Sequence, residues 1–401
     1  MSGTFGLYVH VPYCIKKCPY CDFNSYAIAT LREGVPEERY TDALIRELRA
    51  YSALPEWQGR RLHSIFFGGG TPSLFQAASY GRFFSAVREC FILPANAEIT
   101  LECNPGSIQE TLGREKLSAF RECGVNRISM GAQSFRAEKL LELGRIHSGK
   151  ETGLAVENVR AAGFESFNLD LIFGVGTETL SQWSDDLRAA LDLEPTHLSA
   201  YGLTIEPGTE FSRLFQRGTL VVPDDDTSAE MYQLTQSTLR ERGFEQYEIS
   251  NYAKPGRACR HNLGYWNGED YLGLGAGAHS YRSGNAGEFG ARWSNIPGPE
   301  HYISRTQNDG TAKQRAEIVD RSKAELEFFF LGLRTIYGIC PGSYEKRFSE
   351  GFSARFGGVV DELISHELIE QNGETLRLTA KGFLFADEVM KSFAEHAGDG
   401  A

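Results

Sequence analysis

The sequence predicts an α/β chain, a partial open barrel of six strand–helix units followed by a smaller C-terminal α+β domain of winged-helix type. Three observations predict it. Short apolar segments alternate with amphipathic stretches through the first two-thirds of the 401 residues, the pattern of a parallel sheet with helical crossovers. Six such units fit between Leu7 and about Gly243, whereas a closed eight-unit barrel takes about 250 residues. Near the C-terminus, two alternating runs flank Asn372-Gly373, the strongest short-range hairpin signal.

The expected strands are Leu7–Val11, His63–Phe67, Glu98–Glu102, Arg127–Met130, Asn168–Phe173 and His197–Tyr201. Helices are expected at Glu37–Tyr51, where Leu44, Ile45 and Leu48 make the apolar stripe, and at Ala77–Cys90, Gly149–Ala162 and Leu180–Leu191, with another near Ile108–Cys123. Phe244–Asn251 reads as a further strand, and residues up to Ser294 are rich in Gly, aromatics and His. The polar, weakly periodic Gln307–Arg321 suits a connector. Beyond it come an apolar helix at Ala324–Tyr337, a helix at Val359–His366, the Leu368–Thr379 hairpin and a last helix at Ala380–Phe393. The expected division is therefore a barrel over 1–243, an extension over 244–306 and a C-terminal domain over 307–401.

Composition narrows the function. With 41 Lys and Arg against 53 Asp and Glu, the net charge is −12, so no electrostatic case exists for nucleic acid as main partner. No run approaches the roughly 20 apolar residues of a membrane span, and the first six residues are too few and too polar for a signal peptide. The expected location is the cytoplasm. There eight cysteines do not imply disulfides; Cys90, Cys103, Cys123, Cys259 and Cys340 are scattered and read as packed thiols.

Cys14, Cys18 and Cys21 are different. Their C-x₃-C-x₂-C spacing places three thiolates for three irons of a 4Fe–4S cluster, leaving the fourth iron open to a small molecule. Electron-transfer clusters use four cysteines. A structural zinc site, as in a zinc-stabilised adaptor, also needs four ligands, and no nearby Cys or His completes one. After the second strand, Gly68-Gly69-Gly70-Thr71-Pro72 lets main-chain groups approach a ligand closely. Glu102, Gln133, Arg145 and Asp170 end or follow strands, where ligands bind in such folds.

Tyr8-Val9-His10-Val11-Pro12-Tyr13-Cys14, running into Cys18-Pro19-Tyr20-Cys21, resembles the opening of the radical S-adenosylmethionine (SAM) superfamily. Within it the chain resembles the oxygen-independent coproporphyrinogen III oxidase group, most nearly its heme-chaperone branch, HemW. The resemblance implies a partial (β/α)6 radical-SAM barrel and a 4Fe–4S cluster on Cys14, Cys18 and Cys21. It implies SAM contact at Tyr8, Tyr20, Gly69, Gly70, Thr71, Glu102, Gln133, Arg145 and Asp170, with Thr204 and His279 as further positions. It also implies an electron donor to the cluster.

Two departures from the oxidases bear on activity. Phe23 stands where they carry another cysteine two positions after the third, and only a handful of residues precede Leu7. Arg260-His261-Asn262-Leu263-Gly264-Tyr265-Trp266 matches the H-N-x-x-Y-W motif of the chaperone branch. His261 is the expected heme ligand, with Tyr265 and Trp266 as flat apolar faces and Arg257 and Arg260 facing propionates. The expected function is a heme chaperone that hands heme to an acceptor protein; a transient membrane-protein partner and a homodimer are further expected associations. Porphyrinogen oxidation is the alternative.

Overall fold

The computed structural model describes residues 3–31, 33–108, 110–284 and 288–398. Met1 and Ser2 of the N-terminal reading, and residues 109 and 285–287 within expected elements, lie outside the described residues.

Six parallel strands form the centre of one sheet: β1 (Thr4–Val11), β2 (Arg61–Gly69), β3 (Glu98–Cys103), β4 (Arg127–Gln133), β5 (Phe167–Phe173) and β6 (His197–Gly202). Each expected strand is present, one to three residues longer at its ends. Helices Glu37–Ser52, Ala77–Cys90, Glu110–Cys123, Gly149–Ala161 and Leu180–Asp192 make the crossovers. Phe5, Leu7 and Val9 of β1 are fully buried against this helical layer, and the alternate residues Tyr8 and His10 face the concave interior. Capping boxes at Ser148/Glu151 and Thr179/Gln182 start two of these helices.

The sheet continues past both ends of the six. Beside β6 lie β7 (Glu245–Gln246) and β8 (Asn251–Ala253). The single strand expected over Phe244–Asn251 is thus two short pieces. Glu248 interrupts them, because its buried carboxylate accepts from Ser250 N and Asn251 Nδ2 and holds a tight turn. Beside β1 lie β9 (Tyr271–Leu274), β10 (His279–Arg282), β11 (Ala291–Asn295) and β12 (Lys313–Ile318). The connector expected over Gln307–Arg321 is instead the end of helix Pro299–Asp309 followed by β12, a charged edge strand exposed along its length. Charge hid it from the pattern, and charge is how edge strands avoid further pairing.

Glu47 ties the new strands to the first helix. Fully buried, it accepts from Tyr302 Oη at 2.7 Å, Asn295 Nδ2 at 2.8 Å and Gly275 N at 3.1 Å. Burial pushes its carboxyl up to about 7.

The C-terminal part has its own core around Phe329, Tyr344, Phe356 and Phe393, with Phe329 and Phe393 stacked at 4.3 Å. Helix Arg321–Leu333 ends sooner than expected, and helix Phe352–Ser365 begins sooner. The hairpin is Ile369–Asn372 with Thr375–Leu378. The last expected helix is broken at Phe385 into Ala380–Leu384 and Ala386–Gly398. Among the described residues no helix is long and apolar enough to cross a membrane.

Replacing Glu47 by Ala orphans several buried donors at once. The expected loss is about 3–5 kcal/mol, read from urea unfolding; a change below about 1 kcal/mol would contradict this account of the pin.

Candidate functional site

The C-terminal ends of the six parallel strands surround a cavity of about 400 Å³. Cys14, Cys18 and Cys21 line it together with Tyr20, Gly69, Gly70, Thr71, Glu102, Gln133, Arg145, Asp170 and Thr204. Residues spread over most of the barrel sequence therefore converge on one volume.

The cysteine loop is fastened from all sides. Tyr13–Cys14 pairs with Tyr26–Ala27 in a two-residue parallel ladder. Gly70 N donates to Val11 O and Thr71 N to Tyr13 O. A Cβ on Gly70 would sit 2.6 Å from Tyr13 O, and one on Gly69, whose φ is +111°, would lie 2.4 Å from the His10 ring. The glycines are thus required for the loop's close approach, independent of any ligand. Gly144 (φ +67°) abuts Pro19, where a Cβ would lie 2.6 Å from its Cδ, and Phe211 N donates to Pro19 O.

Each thiol has a polar neighbour. Thr71 Oγ1 donates to Cys14 Sγ at 3.8 Å, Arg145 Nη1 donates to Cys18 Sγ at 3.5 Å, and Cys21 Sγ lies 4.0 Å from Ser25 Oγ. Burial pushes the Cys14 and Cys21 thiols up, so thiolates at these positions are favoured only with a cation on the sulfur.

Opposite the thiols, Glu102 accepts Gly69 N at 3.0 Å. Burial first, and the nearby Asp170 second, push its carboxyl up to about 8. Asp170 accepts from Asn168 Nδ2 at 2.8 Å and is itself pushed up by burial. Gln133 sits at φ +65° beside an irregularity in the β4–β5 register, a strained backbone of the kind that clusters at ligand sites. Arg145 is held by Gly131 O at 2.8 Å, and its Nε is buried without a partner.

Three expected residues stand apart, Tyr8, His261 and His279, the last an exposed residue of β10 that lines neither this cavity nor the chamber beside it. Tyr8 lines an adjoining chamber of about 230 Å³ below Glu102 and Asp170, and its hydroxyl bonds His10 Nδ1 at 2.9 Å. His261 does not line the cavity. Its ring is 2% exposed and stacks on Phe66 at 5.2 Å. Nδ1 bonds Ser64 Oγ at 2.8 Å and Nε2 bonds Tyr265 Oη at 2.9 Å. Burial, with His63 and Arg127 adding to it, pushes the imidazole down to about 3. In this structure both ring nitrogens are engaged by protein hydroxyls. Arg260 is likewise turned away, to Asn96 O, and Trp266 lies under Arg334.

Sequence reasoning passed over Ser129, Ile172 and Tyr201, which also line the cavity. Their signal was available: Ile172 and Tyr201 lie near strand C-terminal ends, and register puts Ser129 beside Glu102 on the same face.

The Radical SAM superfamily model matches residues 8–190, and the HemN C-terminal domain model matches residues 320–385. A Haemophilus influenzae protein named heme chaperone HemW is 38% identical over 390 residues, 97% of each chain. Its Bacillus subtilis namesake is 34% identical over 96% of this chain and 98% of its own. The Escherichia coli one is 45% identical over 68% and 69%. This chain belongs to the HemW branch of the radical SAM superfamily. The superfamily implies a 4Fe–4S cluster and SAM. Among solved structures, the Escherichia coli coproporphyrinogen III oxidase HemN superposes with a TM-score of 0.80 at 23% identity, over 97% of this chain and 90% of that one, which establishes the shared fold.

Glu102→Gln removes a buried acid whose folded pKa exceeds the ordinary 4.5. Such a group binds its proton more tightly when folded, so its contribution falls as pH rises from about 4.5 to about 8 and is constant above. The variant without ligand is expected to melt higher than the parent, by a margin that widens across that window. A pH-independent difference in Tm would refute the assignment.

Proposed function

We propose that this protein is a heme chaperone that holds a 4Fe–4S cluster and SAM in the 400 Å³ cavity and passes heme to an acceptor protein in the reducing cytoplasm. The observation carrying this reading is the convergence of three cysteines and nine other expected residues on one volume, in a chain alike over almost its full length to proteins bearing that name.

The donor set fits both resident groups. Three thiols at one mouth are a ligand set for three irons, whereas a zinc-stabilised adaptor would need four ligands. Arg145, with an unpartnered buried Nε, suits a carboxylate. Glu102 and Asp170 suit an ammonium and ribose hydroxyls, and Tyr20 stands beside them as an aromatic wall. When bound, the reduced cluster supplies one electron toward the sulfonium of SAM. The chain's own part is to hold the cofactor by its two ends, to keep water from the sulfonium, and to leave one iron corner open.

The oxidase reading is the weaker. Phe23 replaces a cysteine of the oxidases, and the resemblance to the solved oxidase carries the fold alone. An electron donor and a heme acceptor are the partners this reading requires.

The deciding experiment loads anaerobically purified, cluster-containing protein with heme and mixes it with a heme-free acceptor. Transfer, with no protoporphyrinogen formed from coproporphyrinogen III, SAM and reductant, is expected; protoporphyrinogen formation would overturn the proposal. Two variants test the cavity. Cys18→Ala is expected to lose nearly all cluster iron and sulfide, and Glu102→Gln to weaken SAM binding at least tenfold by calorimetry while keeping the cluster.

A further inference from the structure

The chamber of about 230 Å³ below Glu102 and Asp170 has no part in holding the cluster or SAM in the reading above. It adjoins the larger cavity: Phe23, Gly69, Glu102, Ser129, Asp170 and Tyr201 line both. Its lining also includes Arg127, at the start of β4, and Asn262, on helix Arg260–Trp266. With about 30 Å³ taken by each water in the liquid, the space suits several waters or one small organic molecule.

Most polar groups in this wall are already engaged by the protein. Asn168 Nδ2 donates to Ser129 Oγ at 2.9 Å and to Asp170 Oδ1 at 2.8 Å. Its Oδ1 lies 2.7 Å from His197 Nδ1 and accepts from Ser199 Oγ at 3.2 Å. Tyr8 is bonded to His10, and Glu102 accepts from Gly69 N. Two side chains are left over. The Asn262 amide has no hydrogen-bond partner among the described residues. Arg127 is 3% exposed, its Nε is buried without a partner, and its guanidinium makes no ion pair among the described residues.

The carboxylates that act on Arg127 through space are Glu98 and Asp170, and both are committed elsewhere. Glu98 accepts from Arg260 N at 3.2 Å and His261 N at 3.1 Å, at the start of the motif helix. Asp170 is taken up by Asn168. A guanidinium withdrawn from water with its donors unspent is costly, and an anion beside it would offset that cost. Its planar fork fits a carboxylate through two parallel bonds. One cation, with Asp170 in the same wall, suits a monoanion better than a dianion. Phe66 and Tyr8, stacked at 6.4 Å, supply an apolar side for a short carbon stem. Arg145 shows the same unpartnered Nε in the larger cavity, where SAM brings a single carboxylate. The second arginine calls for a second one.

We propose that this chamber is a binding site for a small free monocarboxylic acid, anchored by Arg127 and Asn262 and enclosed beneath SAM. Only the enclosure rests on the SAM reading above; the anchor does not.

Equilibrium dialysis of the anaerobic, cluster-loaded full chain against radiolabelled acetate and lactate tests it, with no heme present. Saturable binding of at least one acid, one per chain, is expected, with no displacement by acetamide or inorganic phosphate. Arg127→Gln is expected to weaken binding at least tenfold with cluster iron and sulfide unchanged, and Arg127→Lys to weaken it about three- to tenfold. Asn262→Asp, which gives Arg127 a partner from the protein itself, is expected to abolish binding without lowering Tm, a pairing of effects that a structural role would not produce. SAM added after the acid is expected to slow its release at least tenfold. Absence of saturable binding by the parent, parental affinity in both Arg127→Gln and Asn262→Asp, or equal binding of acetamide would overturn the site. Displacement by one equivalent of hemin would assign the carboxylate to the cargo and overturn the free-acid proposal. Release unaffected by SAM, in a chain that calorimetry shows to bind SAM, would overturn the enclosure; a chain that binds the acid but no SAM would instead count against the SAM reading.

Discussion

The loop from Cys14 to Cys21 has almost no regular structure of its own, and its shape is imposed by main-chain bonds from its neighbours. Val11 and Tyr13 carbonyls are met by the amides of Gly70 and Thr71, and the Pro19 carbonyl by the amide of Phe211. Three thiols can share one cuboidal cluster only if their positions are fixed relative to each other, and a free loop of this length would spend that advantage as entropy. The parallel sheet solves this by gathering its strand ends on one side, so that loops distant in sequence brace one another. The glycines follow from the same constraint: Gly69, Gly70 and Gly144 stand where any side chain would strike the loop or the residues behind it.

A second consequence concerns charge. Glu102 and Asp170 face each other across the cavity wall, and burial and mutual repulsion raise the Glu102 carboxyl to about 8. Glu47 shows the contrasting case. It is fully buried, surrounded by donors from the Gly275 turn, Asn295 and Tyr302, and it holds two layers together.

Much of this was legible in the sequence. The six strands and their crossovers follow from alternation of apolar runs, and the cavity residues from their places at strand ends. What was not legible shares one cause, interactions between segments far apart. Nothing near His261 in sequence reveals that Ser64 waits for its Nδ1, so an exposed ligand and a buried clasp read alike. Nothing in Lys313–Ile318 reveals that β11 lies alongside, so a charged edge strand read as a linker.

The sheet is assembled out of chain order. The first strand is flanked on one side by β2 and on the other by β9, which arrives only with Tyr271–Leu274. During synthesis one edge of β1 therefore stays unsatisfied until most of the polypeptide has left the ribosome. Fragments ending near Gly243 would carry bare edges at both β1 and β6, and such edges recruit one another. The barrel is for this reason not a detachable unit: its closing piece is encoded last, and shortening the protein from its C-terminus trades a folded core for an adhesive one.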